Sequence, residues 1–151
     1  SHFNFSVPEA MGVIVIVAPE ESGMLGLVSL IASTISGGNT CIVLASETKP
    51  LCAITFAEVL KTSDVPSGVV NILTGKIKEL LGHFSNHMDV NALVYCDGDA
   101  SIIEKIKANS ISNVKRPIIY NNINWDSEKA ESPYYIMDLQ EIKTTWHPIG
   151  V

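Results

Sequence analysis

Between Gly12 and Ala18 the chain reads Gly-Val-Ile-Val-Ile-Val-Ala, a β-branched run with no polar alternation, bounded by Gly12 and Pro19. Such a run predicts a strand buried on both faces, as in a parallel sheet. Met24 to Ile35 is apolar on nearly every side, which predicts a buried helix, and Gly37-Gly38-Asn39 supplies residues that tolerate a left-handed stop. Cys41 to Leu44 is the next strand, followed by Pro50 at a helix start and a helix to about Thr62. After the turn at Pro66-Ser67-Gly68 the rhythm repeats. Val69–Leu73 reads as a strand, Lys76–Ser85 as a helix, Ala92–Cys96 as a strand, Ala100–Lys107 as an amphipathic helix and Lys115–Tyr120 as a last core strand. Strands alternating with helices of this length predict right-handed β-α-β units around an open, mostly parallel sheet in three layers. Residues 1–120 form the α/β core in this scheme, and 121–151 an irregular tail packing on the same domain. The tail carries one strand candidate (Tyr134–Met137) and a helical turn or two (Asp138–Thr144).

The 151 residues include ten Lys plus Arg against sixteen Asp plus Glu, a net charge of −6. Only Lys115-Arg116 stand side by side, so no basic patch exists to neutralise phosphates, and nucleic acid is excluded as an expected partner. The longest apolar stretches, Met11–Ala18 and Met24–Ile35, are shorter than the ~20 residues of a membrane helix, so no membrane partner is expected. Ser1-His2 has the look of a tag remnant and no signal-peptide pattern follows it. Cys41, Cys52 and Cys96 are an odd number with neither metal nor disulfide spacing, and each lies in or beside apolar residues. The expected setting is reducing and cytoplasmic, where the triplet Asn4-Phe5-Ser6 is inert as a glycosylation signal.

In a doubly wound sheet, ligands bind beyond the carboxyl ends of the strands. The loops there are Pro19–Gly23, Ala45–Lys49, Thr74–Lys76 and Asp97–Asp99, and none carries a Gly-rich phosphate loop. Glu20 and Glu21 offer either an acid–base pair or a solvated helix entry, with the solvated entry favoured. His83 and His87 have i, i+4 spacing but no third ligand of metal spacing, so no metal site is expected. Cys96 sits at a strand end, yet its neighbours Asp97 and Asp99 oppose a thiolate, so it is not assigned as a nucleophile.

Several motifs recur in an order that resembles the aldehyde dehydrogenase superfamily, over about Pro8 to Lys115. Met11 to Pro19 resembles the family's opening Gly-Val strand, which ends in Pro-Trp-Asn. Gly38-Asn39-Thr40 through Ser46-Glu47-Thr48-Lys49-Pro50 resembles its Gly-Asn-Thr strand and Lys-Pro-Ser-Glu loop. Pro66-Ser67-Gly68-Val69-Val70-Asn71 resembles its Pro-x-Gly-Val-Val-Asn turn and strand. The resemblance implies a Rossmann-like fold, as in the cofactor-binding domain of these enzymes. It also implies residual NAD contacts at Ser46, Glu47, Pro66 and Gly68. The ending Glu141 to Gly150 and Ala18-Pro19-Glu20-Glu21-Ser22 are similar to the truncated second unit of family-sixteen members, which joins a full-length unit.

The departures from the family pattern carry the functional expectation. Glu20-Glu21 stand where the family has Trp-Asn, and losing that Asn's oxyanion hydrogen bond costs a factor of ~10²–10³ in rate. Leu44 stands where the family's Lys reaches the adenosine ribose, a charged hydrogen bond worth about 1.5–3 kcal/mol. Asp97 lies where the pyrophosphate would come, and no cysteine follows Cys96, so the family's nucleophile is missing. The expectation is a non-catalytic dehydrogenase-like domain with no catalytic residues of its own and no tightly bound cofactor, NAD being held weakly if at all. Its partner would be the full-length dehydrogenase unit of the same protein or a second copy. Two alternatives stay open: a residual NAD-binding module, or one part of an NAD-dependent enzyme oxidising aldehydes to carboxylic acids with its catalytic Cys elsewhere.

Overall fold

The computed structural model describes residues 2–149. Five parallel strands form one sheet in the order β4-β3-β2-β5-β6, with β2 at Val13–Val17, β3 at Thr40–Leu44, β4 at Val70–Leu73, β5 at Ala92–Tyr95 and β6 at Arg116–Ile119. The chain builds outward from β2 through β3 to β4. It then crosses back to place β5 on the other side of β2, in register Ile14↔Ala92 to Val17↔Tyr95. The sheet therefore reverses its winding between β2 and β5, where a crevice opens at the carboxyl ends.

Helices α1 (Leu25–Ser36) and α2 (Pro50–Thr62) pack on one face, α3 (Ile77–Asn86) and α4 (Ala100–Ile111) on the other. Alternation along β2 divides the core. Ile14 and Ile16 join Leu27, Leu30 and Ile31 of α1, while Val15 and Val17 join Leu81 and Phe84 of α3 and Ile106 of α4. With both faces covered, Ile14, Val15 and Ile16 are fully buried, which is why the strand has no polar position. The α/β class and the predicted core strands and helices match this architecture to within a few residues at their ends.

Buried Asn39 ties three parts together. Its Oδ1 accepts the Gly12 amide at 2.9 Å, and its Nδ2 donates to the Leu139 carbonyl at 2.9 Å and the Thr34 carbonyl at 3.4 Å. Gly12 has φ of +124° beside Asn91, so it occupies the left-handed region that favours glycine.

The tail departs from expectation. Tyr134–Met137, predicted to be extended, lies in a short helix, α5 (Tyr134–Asp138), and of Asp138–Thr144, predicted to be helical turns, Gln140 onward belongs to the nine-residue strand β7 (Gln140–Pro148). β7 pairs antiparallel with β1 (His2–Ala10), a strand not predicted, in register from His2↔Pro148 to Ala10↔Gln140. The partners lie at opposite ends of the chain, so no local hairpin signal marks them. The ribbon is separate from the five-stranded sheet and exposed along most of its length. Residues 121–139 pack on the core through Trp125, Ala130 and Leu139. Trp125 closes over Gly26, where an added Cβ would lie 3.0 Å from the indole and run into the Pro19 ring.

Candidate functional site

The crevice at the reversal point encloses about 580 Å³ and is lined by Val17, Leu44, Tyr95 and Ile102 on its floor and by loop residues on its rim. Five carboxylates, those of Glu20, Glu21, Glu47, Asp97 and Asp99, belong to that lining, against one cation, Lys78. Trp125, Asn122 and Ile123 from the tail complete the wall.

Four of these carboxylates, those of Glu20, Glu47, Asp97 and Asp99, accept the protein's own donors. One oxygen of Glu20 accepts the Glu47 amide at 2.7 Å; the other accepts the Ser46 hydroxyl at 2.8 Å, the Thr48 hydroxyl at 3.0 Å and the Thr48 amide at 3.2 Å. Burial alone pushes the Glu20 carboxyl up, but the Glu47 amide and the Ser46 and Thr48 donors outweigh it and hold the group below its ordinary value. Glu47 in turn accepts the Ile77 amide at 2.7 Å and so caps the first turn of α3 from a different loop. Asp99 caps α4, accepting the amides of Ser101 at 2.9 Å and Ile102 at 3.3 Å. Asp97 accepts the Glu20 amide at 3.3 Å; burial, together with the charges of Glu20 and Glu21, leaves its carboxyl above the ordinary value.

This arrangement decides what the crevice can hold. A pyrophosphate needs free backbone amides at a helix N-terminus and a positive surrounding field. Here amides opening both α3 and α4 already face carboxylates, and the loop amides of Glu47 and Thr48 face Glu20. The residues present do not fit the phosphates of the dinucleotide that the family pattern implies. Leu44, at the ribose-lysine position, is 1% exposed and part of the core.

The four predicted cofactor contacts do not form one site. Ser46 and Glu47 follow β3 at the carboxyl rim. Pro66 and Gly68 precede β4, and in a parallel sheet that places them at the opposite, amino rim, where they line a separate cleft of about 210 Å³ with Ala57 and Lys61. Gly68, with φ of +87°, closes a turn in which the Val69 amide donates to the Pro66 carbonyl at 3.2 Å. Pro66 and Gly68 are turn residues and do not belong to the lining of the crevice.

Sequence reasoning missed the interlocking role of Glu20 and the contribution of Trp125. The signal for Glu20 was present only as a carboxylate at a strand end, and the donors it binds lie more than 25 residues on. Cys96 is buried at the crevice floor; burial first and the Asp97 charge second push its thiol up, which opposes a thiolate there. Cys41 is buried as expected, whereas Cys52 is exposed on α2. His87 caps the end of α3 and lies 3.9 Å from Asp89. Among the described residues no three His, Cys, Asp or Glu side chains are grouped to hold a metal, and no helix is long and apolar enough to cross a membrane.

The aldehyde dehydrogenase family model matches residues 1–120. Aldehyde dehydrogenase 1A1 of Mus musculus is 34% identical over 115 residues, 76% of this chain and 23% of that protein. The NADP/NAD-dependent aldehyde dehydrogenase PuuC of Escherichia coli is 31% identical over 73% of this chain and 22% of its own length. Cytosolic 10-formyltetrahydrofolate dehydrogenase of Xenopus laevis is 30% identical over 76% of this chain and 13% of its own length. Among solved structures, an aldehyde dehydrogenase from Bartonella henselae superposes with a TM-score of 0.72 at 25% identity, covering 77% of this chain and 24% of that one. Aldehyde dehydrogenase C of Pseudomonas syringae, solved with NAD+ and octanal, shares the fold with a TM-score of 0.74 at 23% identity, over 78% and 24% of the two chains. The chain thus spans 13–23% of the length of these three protein relatives. On the family match over four-fifths of its residues, and with a sheet that superposes on solved members, the chain belongs to the aldehyde dehydrogenase family.

Proposed function

We propose that this chain is a non-catalytic aldehyde-dehydrogenase-like domain with a structural or assembly role in a larger dehydrogenase-family protein, similar to the partial second unit of family-sixteen members. The observation that supports it is the self-engaged crevice: Glu20, Glu47 and Asp99 occupy the amides a dinucleotide phosphate would use. Buried Cys96 offers no reactive sulfur, and Glu20-Glu21 supply acceptors where an oxyanion needs donors. The partner is the full-length dehydrogenase unit of the same protein or a second copy, and the exposed ribbon of β1 and β7 is a surface suited to it. Free thiols at Cys41, Cys52 and Cys96 support a reducing, cytoplasmic setting.

The test is an NAD-dependent aldehyde oxidation assay on this chain alone, with calorimetric titration of NAD beside it. Expected are no turnover and no saturable binding up to about 1 mM. Turnover abolished by Cys96→Ala would defeat the proposal. Sub-millimolar affinity reduced by Glu47→Ala would instead favour a residual NAD-binding module. The short span relative to the relatives supports one further reading, in which the rest of a parent protein oxidises aldehydes to carboxylic acids with its own Cys. Aldehyde oxidation by the parent with and without this segment tests it; this chain would contribute architecture.

A further inference from the structure

The outer surface of α1 meets the tail along a groove of about 530 Å³, whose lining shares only Trp125 with that of the crevice. One wall is a helical stripe, Leu25, Val28, Ser29, Ala32 and Ser36, at spacings of three and four. Buried Trp125 and Ala130 and half-buried Ile136 close the other side. The serines do not make the groove polar. Ser29 donates its hydroxyl to the Ala130 carbonyl, Ser33 to the Ser29 carbonyl at 2.7 Å and Ser127 to the Asn124 carbonyl at 2.7 Å. An occupant therefore meets apolar side chains, with Leu25 54% exposed at one end, and small ones that permit close approach. Charge lies on one side alone. Asp126, Glu128 and Glu131 belong to the lining, which includes no Lys, Arg or His, and Met24 to Gly38 carry no charged residue. Among the described residues none of these three carboxylates is in an ion pair.

From this, and resting on the assembly reading above, we infer that the groove receives an amphipathic helix of the partner. That helix sets Leu- and Ala-type residues against α1 and Lys or Arg along the flank facing Asp126, Glu128 and Glu131. The geometry selects a helix over other occupants. The groove is walled by α1, the short 3-10 helix Glu128–Glu131 and α5, so an extended peptide finds no strand edge there to pair with. A small polar ligand needs converging donors, and the hydroxyls of Ser29, Ser33 and Ser127 are already spent on carbonyls. An acidic partner is repelled by the three carboxylates. The twelve residues of α1 extend about 18 Å, which matches a partner helix of about three turns with apolar anchors at i, i+3, i+4 and i+7. Ser29, Ala32 and Ser36 let the two axes come to the near end of helix packing distances, about 8 Å.

Selection from a random display library of peptides of about 15 residues on the intact 151-residue chain tests it. Recovered sequences are expected to share the apolar i, i+3, i+4, i+7 pattern with Lys or Arg on one flank, and to bind in calorimetry with micromolar affinity. Affinity should fall as NaCl is raised from about 50 to 500 mM. Glu128→Lys combined with Glu131→Lys is expected to weaken a recovered peptide about tenfold or more. Ala32→Phe, which fills the groove from an exposed position on α1, should do the same, while Val59→Lys on the exposed face of α2 leaves binding unchanged. Circular dichroism confirms that each variant keeps its fold. In a Trp146→Phe background Trp125 is the one remaining tryptophan, and its emission should shift as the peptide binds. Recovery of no peptide, or of acidic ones, overturns the inference, as does binding that neither Ala32→Phe nor the charge reversal alters. Self-association of the chain that Ala32→Phe abolishes gives the groove to a second copy and also overturns it. A chain that recovers no such peptide yet joins a full-length dehydrogenase unit overturns this surface while leaving the assembly role standing.

Discussion

Glu20 is the residue whose replacement reports most directly on the crevice. In Glu20→Gln the side chain keeps its shape but loses its charge and one acceptor. The remaining carbonyl oxygen can stay with Ser46 and Thr48, which leaves an NH2 group facing the Glu47 amide, donor against donor. One charge-assisted hydrogen bond is lost and three are weakened, so the expected destabilisation is about 1.5–3 kcal/mol. For a domain of this size that corresponds to a fall in melting temperature of roughly 3–12 °C. Urea denaturation at pH 7 gives the difference directly. Its pH dependence supplies the second check. Because the folded carboxyl lies below its ordinary value, its contribution is fully present above the unfolded pKa of about 4.3 and is lost as pH falls through the folded value. The gap between wild type and Glu20→Gln should therefore narrow from pH 5 downward. Equal stabilities at pH 7, or a gap that persists unchanged in acid, would refute the interlocking role assigned to this carboxylate.

Three further outcomes are expected. Asn39→Ala removes the acceptor of the Gly12 amide and the donor to Leu139 at a buried site, and should cost about 2–4 kcal/mol in urea midpoint analysis. Leu44→Lys, which restores the residue type of the family's ribose contact, places an ammonium where the side chain is 1% exposed; it should lower the melting temperature sharply without producing NAD binding by calorimetry. Under native conditions a thiol reagent should label Cys52 quickly, with Cys41 and Cys96 reacting only on unfolding, as read by mass spectrometry against denatured chain.

The crevice was only partly legible in the sequence. Which loops gather at the carboxyl ends follows from the strand order, so Glu20, Glu47 and Asp97 could be placed near one another. What each carboxylate binds could not, because the donors of Ser46, Glu47, Thr48 and Ile77 meet Glu20 and Glu47 across 26 to 30 positions of chain. That Pro66 and Gly68 lie away from the crevice was hidden for a related reason: the motif around them matches the family pattern, but a motif does not say which rim of a parallel sheet its turn occupies. The register of β4 against β3 does.

Sequence by itself determined the core. Continuous β-branched runs such as Val13–Val17 are stable only when covered on both sides, and alternating strands and helices leave few ways to cover them. It also determined the absence of charge on His2–Pro8 and the excess of carboxylates near the crevice. Only the tertiary structure decided that β1 and β7 pair and that Trp125 closes over Gly26. It alone decided, too, that Glu47 caps the N-terminus of α3 from another loop. Local periodicity is set by neighbours along the chain, whereas hydrogen-bond partners and strand mates are chosen by which distant segments the packed core brings within about 3 Å.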